Sequence, residues 1–258
     1  MIDLSGKVVL IAGASGGIGR EVARYFADCG CDVALGFHTR EAPARSAFDH
    51  ALTLGRRALI NQVDTSDIAA ARAWVNEVIT SLGHIDVLVS CTGAPLPEGF
   101  SLFAKQDPST WRGMIEGQLL SFIYLCRPVI EHMLERRSGR VIALSSDGGK
   151  VGESGTAVVN AGNAGLIGFA KSLAREVGRS GITANVVCPG PIDGPTLDAL
   201  RSGGDTGARI VDEMVRRVPM KRLGRATDIA ATMAFLASDE AAYITGQAIS
   251  VSGGLVMN

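Results

Sequence analysis

Short apolar runs alternate along the chain with longer stretches of helical period. The first run, Val8–Ala12, has five consecutive apolar residues, which suits a parallel strand covered on both faces. A glycine-rich segment, 13–19, follows it at once, and a helix is predicted from about Ile18 to Cys29. This strand, turn and helix predict the first βα unit of an open α/β fold.

Six further strands are predicted, with helical stretches between them, at about 32–37, 57–63, 85–90, 140–145, 183–188 and 248–252. One of the helices is predicted to start behind a Ser66 cap and to run to Ser81. The alternation indicates a single-domain, Rossmann-like, doubly wound parallel sheet of about seven strands over residues 1–258. A polar, glycine-containing segment at about 196–219 lies beyond a strand's carboxyl end and is predicted to be lid-like.

Two predicted helices, 111–134 and 158–177, carry apolar residues on nearly every side. A helix that is apolar all round is buried all round, so its outer face needs a cover. Oligomerisation through these helices is one interpretation, and a deep position within a large monomer is the other.

Composition narrows the class of protein. The 258 residues carry 25 basic and 26 acidic side chains without a long basic run, so neither a nucleic-acid nor a membrane surface is indicated. The apolar runs are strand-sized, and we expect no signal peptide, no membrane span and a cytoplasmic location. The five cysteines are scattered, so we expect buried reduced thiols and no metal site.

The glycine turn suits a dinucleotide, since its backbone can approach a pyrophosphate and the following helix points its amides at the anion. Glycines also serve plain turn geometry, so both interpretations stand on this segment alone. Further motifs occur in a particular order: Val63-Asp64, the strand ending in Ser145-Ser146, Pro189-Gly190, and Ser252-Gly253-Gly254.

With these motifs the chain resembles the short-chain dehydrogenase/reductase family over essentially its whole length. The resemblance implies that NAD or NADP is the cofactor and that Ser146 occupies the position of the active-site serine. It also implies a set of cofactor-contacting residues, which are Gly13, Ser15, Gly17, Ile18, Gly19, Asp64, Gly93, Pro189 and Gly190.

The chain departs from that family where proton transfer occurs. The family has a Tyr thirteen residues after the serine and a Lys four residues later, and these positions hold Val159 and Asn163. A carbonyl oxygen that receives hydride needs a proton, which the phenol donates and the Lys cation makes available. Val159 has no proton to give, and Asn163 carries no charge. The loss of the general acid alone costs about a hundred- to ten-thousand-fold in rate.

Other positions of the implied site are also altered. The family's helix Asn aligns with Gln118, and its N-N-A-G motif reads Ser-Cys-Thr-Gly ending at Gly93. The family's Thr after Pro-Gly is replaced by Gly194 or displaced to Thr196. After the second predicted strand no carboxylate is present for an NAD ribose. His38 or Arg40 is a candidate for a 2′-phosphate, although exposed loop cations are usually solvated.

Three hypotheses remain open. The first is a degenerate subunit that assembles, as a tetramer, with an active paralogue, since the chain is similar to the non-catalytic subunit of heteromeric family members. Such a complex is expected to be an NAD(P)-dependent hydroxyacyl-CoA or alcohol dehydrogenase, in aromatic hydrocarbon catabolism. The second is a self-sufficient carbonyl reductase with Lys150 or Glu153 as a relocated acid, although charged residues beside glycines are usually solvated. The third is a ligand-binding or regulatory protein.

Overall fold

The computed structural model describes residues 2–93 and 101–257, and its sheet has seven strands. All neighbouring strands are parallel, in the order β3-β2-β1-β4-β5-β6-β7. The strands are β1 (Val8–Ala12), β2 (Asp32–Phe37), β3 (Ala58–Gln62), β4 (Val87–Ser90), β5 (Gly139–Leu144), β6 (Ile182–Pro189) and β7 (Ala248–Val251). The predicted Rossmann-like, doubly wound fold is therefore confirmed.

Helices cover both faces of this sheet. They are α1 (Gly17–Asp28), α2 (Glu41–Thr53), α3 (Ile68–Leu82), α4 (Trp111–Ile115), α5 (Ser121–Arg136), α6 (Gly148–Val151), α7 (Ala157–Val177), α8 (Pro195–Ser202), α9 (Asp205–Arg217) and α10 (Ala226–Ala237). The segment predicted as a lid consists mainly of α8 and α9, joined at Gly203 and Gly204.

The cap predicted for α3 is wrong by one residue. Asp67 is the N-cap, and its Oδ1 accepts hydrogen bonds from the amides of Ala69 and Ala70. Ser66 instead donates its hydroxyl to Asp64 Oδ1 at 2.6 Å. Both residue types cap helices well, so the local sequence could not separate them.

Two apolar layers sandwich the sheet, because successive residues of a strand point to opposite faces. On β1, Leu10 packs on the side of α3, α5 and α7, whereas Ile11 packs on the side of α1, α2 and α10. Both residues are completely buried. The continuous apolar run in β1 is thus explained by burial on both faces of the sheet.

The helix predicted over 111–134 contains a π-helical turn. α4 passes through this turn, Glu116–Leu120, directly into α5. Within this chain by itself α7 is not buried all round, which agrees with an outer face that needs a cover and not with a deep position in the monomer. α7 leaves exposed a row of small residues, which are Ala157, Ala161, Ala164, Gly168 and Ser172.

Membrane-spanning helices and metal-binding clusters were searched for among the residues that the structure describes. None of their helices is long and apolar enough to cross a membrane, and they contain no cluster of three or more His, Cys, Asp or Glu side chains able to hold a metal ion. The five cysteines are free thiols, four of them buried and Cys91 half-buried.

Candidate functional site

The candidate site lies at the carboxyl ends of the central strands. The strand order reverses between β1 and β4, and ligands of open α/β sheets bind in the crevice that this reversal creates. The glycine turn follows β1, Gly93 lies three residues beyond β4, Ser146 lies two residues beyond β5, and Pro189-Gly190 ends β6. The residues that the family resemblance singled out therefore meet at one edge of the sheet.

The glycine turn has the close packing that its residues imply. Gly13 adopts φ +77°, and a Cβ there would lie 2.6 Å from the carbonyl oxygen of Cys91. A Cβ on Gly19 would collide with the carbonyl of Gly13. Gly16, the N-cap of α1, has no side chain with which to cap the helix. Packing is therefore enough to require glycine at positions 13 and 19, and the N-cap of α1 provides no side-chain acceptor for the first amides of the helix.

Two residues beyond β3, Asp64 is held by its neighbours. Its Oδ1 accepts from the Ser66 hydroxyl at 2.6 Å and from the Ser66 amide at 2.9 Å, and these hydrogen bonds lower the pKa of the Asp64 carboxyl. His38 Nε2 lies 3.8 Å from Asp64 Oδ2. His38 and Arg40 are both exposed. Asp64 thus presents an ionised carboxylate to the region where the family resemblance expects an adenine.

The two substituted positions lie together on the buried side of α7. Val159 is 8% exposed and Asn163 is 5% exposed. Asn163 Nδ2 donates to Asn160 Oδ1 at 3.2 Å, and Ser145 Oγ donates to the backbone oxygen of Asn163 at 3.1 Å. Asn160 Nδ2 in turn donates to Thr156 Oγ1 at 2.7 Å. The amide of Asn163 is therefore part of a hydrogen-bonded chain internal to the protein.

Small residues of α6 allow this chain to form. A Cβ on Gly149 would lie 2.7 Å from Asn163 Cβ, and a Cβ on Gly148 would lie 2.7 Å from the amide atoms of Asn160. The backbone of α6 therefore packs directly on Asn160 and Asn163. Ser146 Oγ accepts from the amide of Gly148 at 3.1 Å, which orients the retained serine.

Lys150 is not the solvated turn residue that the sequence suggested, and its neighbour Asp147 is buried. Asp147 is 4% exposed, and its Oδ1 accepts from Ser250 Oγ at 2.6 Å. Lys150 Nζ donates to Ser250 Oγ at 2.9 Å and to the Ala248 carbonyl at 3.1 Å. The ammonium of Lys150 is thus engaged at β7, and α6 is tied to the edge of the sheet. Sequence reasoning missed this link because Ser250 lies 100 residues away.

Gln118 occupies the π-helical turn and is 6% exposed. A Cβ on Gly93 would lie 3.4 Å from Gln118 Oε1, and a Cβ on Gly162 would lie 3.1 Å from Gln118 Cβ. Gln118 is therefore enclosed between the segment after β4 and α7. Its side chain fills this space at the position of the family's Asn.

Hydroxyl groups near the end of β4 form a chain that the sequence did not reveal. Ser90 Oγ and Thr92 Oγ1 lie 2.8 Å apart, and Thr92 Oγ1 lies 3.2 Å from Ser121 Oγ. Ser121 Oγ donates to the Gly117 carbonyl at 2.8 Å. These groups satisfy one another and link β4 to the π-helical turn. Only the fold brings together residues that lie about thirty positions apart.

A bound nicotinamide dinucleotide would need both ends of this crevice. The glycine turn fits a pyrophosphate, since its backbone is open to close approach. At the other end, Val159 and Asn163 supply neither the phenol nor the ammonium that the family's reaction requires. The chain's three tyrosines do not replace the phenol: Tyr25 lies in α1, Tyr124 in α5, and Tyr243 is fully exposed before β7.

The fold and the motif order define an oxidoreductase-type α/β domain, and the chain belongs to the short-chain dehydrogenase/reductase family. Residues 13–256 match the family model described as enoyl-(acyl carrier protein) reductase. The chain is 38% identical over 256 residues to the 3-oxoacyl-[acyl-carrier-protein] reductase FabG of Escherichia coli K12, covering 99% of this chain and 100% of that protein. It is 37% identical over 251 residues to FabG of Staphylococcus aureus Mu50, with 97% and 98% covered.

Proposed function

We propose that this chain is a non-catalytic subunit of a heteromeric, NAD(P)-dependent dehydrogenase whose catalytic subunit is a related chain with an intact Tyr and Lys. One observation carries the proposal: the acid position is the buried Val159 and the cation position is the hydrogen-bonded Asn163. Neither substitution leaves a group that can deliver a proton to a carbonyl oxygen.

The outer faces of α5 and α7 support an assembly. α7 exposes its small residues, Gly168 among them, and Leu134 on α5 is 41% exposed. Helices pack closely where small residues allow the backbones to approach, and stable interfaces bury about 800 Å² on each partner. We propose that the catalytic subunit covers this face, giving a hetero-oligomer, most simply a tetramer.

In such a complex the chain acts through binding. A partner that binds only the folded catalytic subunit stabilises it by mass action, and it can complete the wall of a pocket without performing chemistry. The resemblance to the non-catalytic subunit of 2-[hydroxy(phenyl)methyl]succinyl-CoA dehydrogenase, from anaerobic toluene degradation, makes a hydroxyacyl-CoA the proposed substrate class of the complex.

The test is purification of the untagged chain from its native source, followed by native mass spectrometry. We expect a complex with a second short-chain dehydrogenase whose Tyr and Lys are present. Replacing the Tyr of that partner by Phe is expected to abolish turnover. A stable homotetramer with robust carbonyl reductase activity would instead show that the proposal is wrong.

A second function is favoured by the identity of 37–38% to the FabG reductases over nearly the whole chain. It is a self-sufficient reductase of 3-oxoacyl thioesters with a relocated acid. The engagement of Lys150 at β7 leaves Glu153, on the exposed segment after α6, as the acid of that mechanism. Turnover of acetoacetyl-CoA with NADPH by the isolated chain, lost in Glu153→Gln, would establish it.

A further inference from the structure

The last turns of α5 contact the residues that precede β4. Ile85 lies two residues before β4, and its side chain is completely buried. His132 Nε2 on α5 accepts a hydrogen bond from the Ile85 amide at 3.3 Å. In the described part of the chain no backbone carbonyl accepts from this amide. Because an unpaired amide is costly away from water, the imidazole of His132 takes the place of a backbone acceptor.

A second residue of α5 binds the same peptide segment. Arg136 lies about one helical turn after His132, so the two side chains share a face of the helix. Arg136 Nη1 donates to the Ile85 carbonyl at 3.3 Å and to Asp86 Oδ1 at 3.0 Å. Asp86 Oδ2 also accepts from the Val8 amide at 2.8 Å. The end of α5 is therefore attached through this segment to the starts of β4 and β1.

The contact between His132 and Ile85 requires a neutral imidazole. A ring nitrogen that accepts a hydrogen bond from an N–H group carries no proton, so the proton of the neutral His132 ring is on Nδ1. In the imidazolium form both ring nitrogens are donors. Protonation of His132 therefore turns its hydrogen bond with the Ile85 amide into a contact between two donors.

The surroundings of the His132 ring also oppose its protonation. Burial lowers the pKa of His132 from its ordinary value of 6.5, and the Arg136 cation lowers it further. His84 acts in the same direction, whereas Glu135 and Asp86 oppose the shift. His84 Nε2 lies 2.9 Å from Asp86 Oδ2, so the carboxylate nearest to the ring is shared with other donors.

The other elements that pack on α5 carry charges that are paired elsewhere. On α3, Arg72 Nη1 donates to Glu131 Oε2 at 2.9 Å, and Glu131 Oε1 accepts from Arg127 Nε at 2.6 Å. On β5, Arg140 Nη2 donates to Asp239 Oδ1 at 3.1 Å. The state of the His132 ring is therefore decided by the groups at the end of α5 and before β4.

We propose that His132 is an acid-sensitive latch, in which the neutral ring holds the end of α5 on the segment before β4 and protonation of the ring releases it. A histidine whose pKa is lower in the folded chain than in the unfolded chain stabilises the fold above about pH 6.5. This contribution is lost as the pH falls from that value toward the folded pKa. The inference does not depend on the proposed subunit role, because it concerns the full chain by itself.

The test is hydrogen exchange of the Ile85 amide in the full chain, measured by NMR at pH 7.5 and at pH 5.5 and corrected for the intrinsic rate at each pH. His132→Gln provides an amide oxygen that accepts a hydrogen bond and does not titrate. The matched control is His50→Gln on α2, which removes another half-buried histidine whose Nε2 lies 2.8 Å from Asp28 Oδ1. Urea denaturation checks that each variant is folded.

We expect the protection of the Ile85 amide to fall about three- to tenfold from pH 7.5 to pH 5.5 in the unaltered chain and in His50→Gln, since the released ring binds a proton with an ordinary pKa. In His132→Gln we expect a change of less than about twofold, because no proton is taken up at this position. An equal fall in all three proteins, or no fall in the unaltered chain, would overturn the inference.

A second measurement requires no substitution. The chemical shifts of the His132 ring nitrogens are expected to report a proton on Nδ1 at pH 7.5 and a titration midpoint below about 6.5. A midpoint at or above the ordinary value would overturn the inference, because the folded chain would then not oppose protonation of the ring.

Discussion

At the scale of single residues, Val159 and Asn163 remove two different requirements of the same proton transfer. A valine takes away the donor, and an asparagine takes away the charge that lowers the pKa of the donor. The asparagine is also bound to Asn160 and close to Ser145, so its amide is satisfied within the protein. Restoring the family's residue at only one of the two positions therefore leaves the other requirement unmet.

Restoring the pair is expected to be strongly non-additive. Val159→Tyr alone leaves the phenol with a pKa of about 10, and Asn163→Lys alone supplies a charge without a donor. The double variant is expected to exceed either single variant by about a hundredfold in NADPH-dependent reduction of acetoacetyl-CoA. Equal rates for Val159→Tyr and the double variant would contradict this.

The thiols provide a second prediction at this scale. Burial raises the pKa of Cys91 to about 12 and that of Cys188 to about 11. Because the thiolate is the nucleophile, these groups are almost unreactive near pH 8. We expect iodoacetamide to modify fewer than about one thiol per native chain and all five in guanidinium chloride. Rapid labelling of Cys91 in the native protein would show that its surroundings are more open.

At the scale of elements, the strands could be predicted because their signal is local. β2 has the predicted bounds, and β1 follows from a continuous apolar run. The π-helical turn could not be predicted, since it depends on how Gln118 is enclosed between Gly93 and Gly162. The positions that meet at the crevice were predictable from motif order, whereas their hydrogen bonds depend on residues that are distant in sequence.

The packing of α6 on α7 gives a prediction about Gly148. In Gly148→Ala the new Cβ would lie 2.7 Å from the amide of Asn160, so we expect a loss of about 1–3 kcal/mol in the free energy of unfolding. Asn160→Ala makes room for it, and the double variant is expected to recover part of the loss.

The control is Gly178→Ala, where a Cβ has no neighbour within 4 Å and the backbone is helical. It is expected to be neutral or slightly stabilising. Urea denaturation of the unaltered chain and these four variants measures these differences. If the effects of Gly148→Ala and Asn160→Ala on the free energy of unfolding simply added in the double variant, the new Cβ and the Asn160 side chain would not compete for the same space.

At the scale of the whole molecule, the uncovered face of α7 predicts how the chain assembles. Ala164→Arg places a charge in the middle of the small-residue row and is expected to weaken the proposed complex by at least about tenfold. A matched change on α9, Ala208→Arg, also alters an exposed alanine in a helix and is expected to leave assembly intact. Native mass spectrometry after co-expression measures both, and equal loss in the two variants would contradict assignment of the interface to α7.

The position of Lys150 beside the edge strand β7 affects how readily separate molecules aggregate. β7 is an edge strand, and the carbonyls of Gln247 and Val251 accept from the amides of Val186 in β6 and of Gly190 just after it. The Ala248 carbonyl therefore points to the open edge. The ammonium of Lys150 donates a hydrogen bond to that carbonyl. A charge at a sheet edge opposes strand pairing between molecules and therefore aggregation. Lys150→Ala is therefore expected to form sheet-rich aggregates sooner, which light scattering with thioflavin fluorescence measures, while Lys171→Ala on exposed α7 behaves like the unaltered chain.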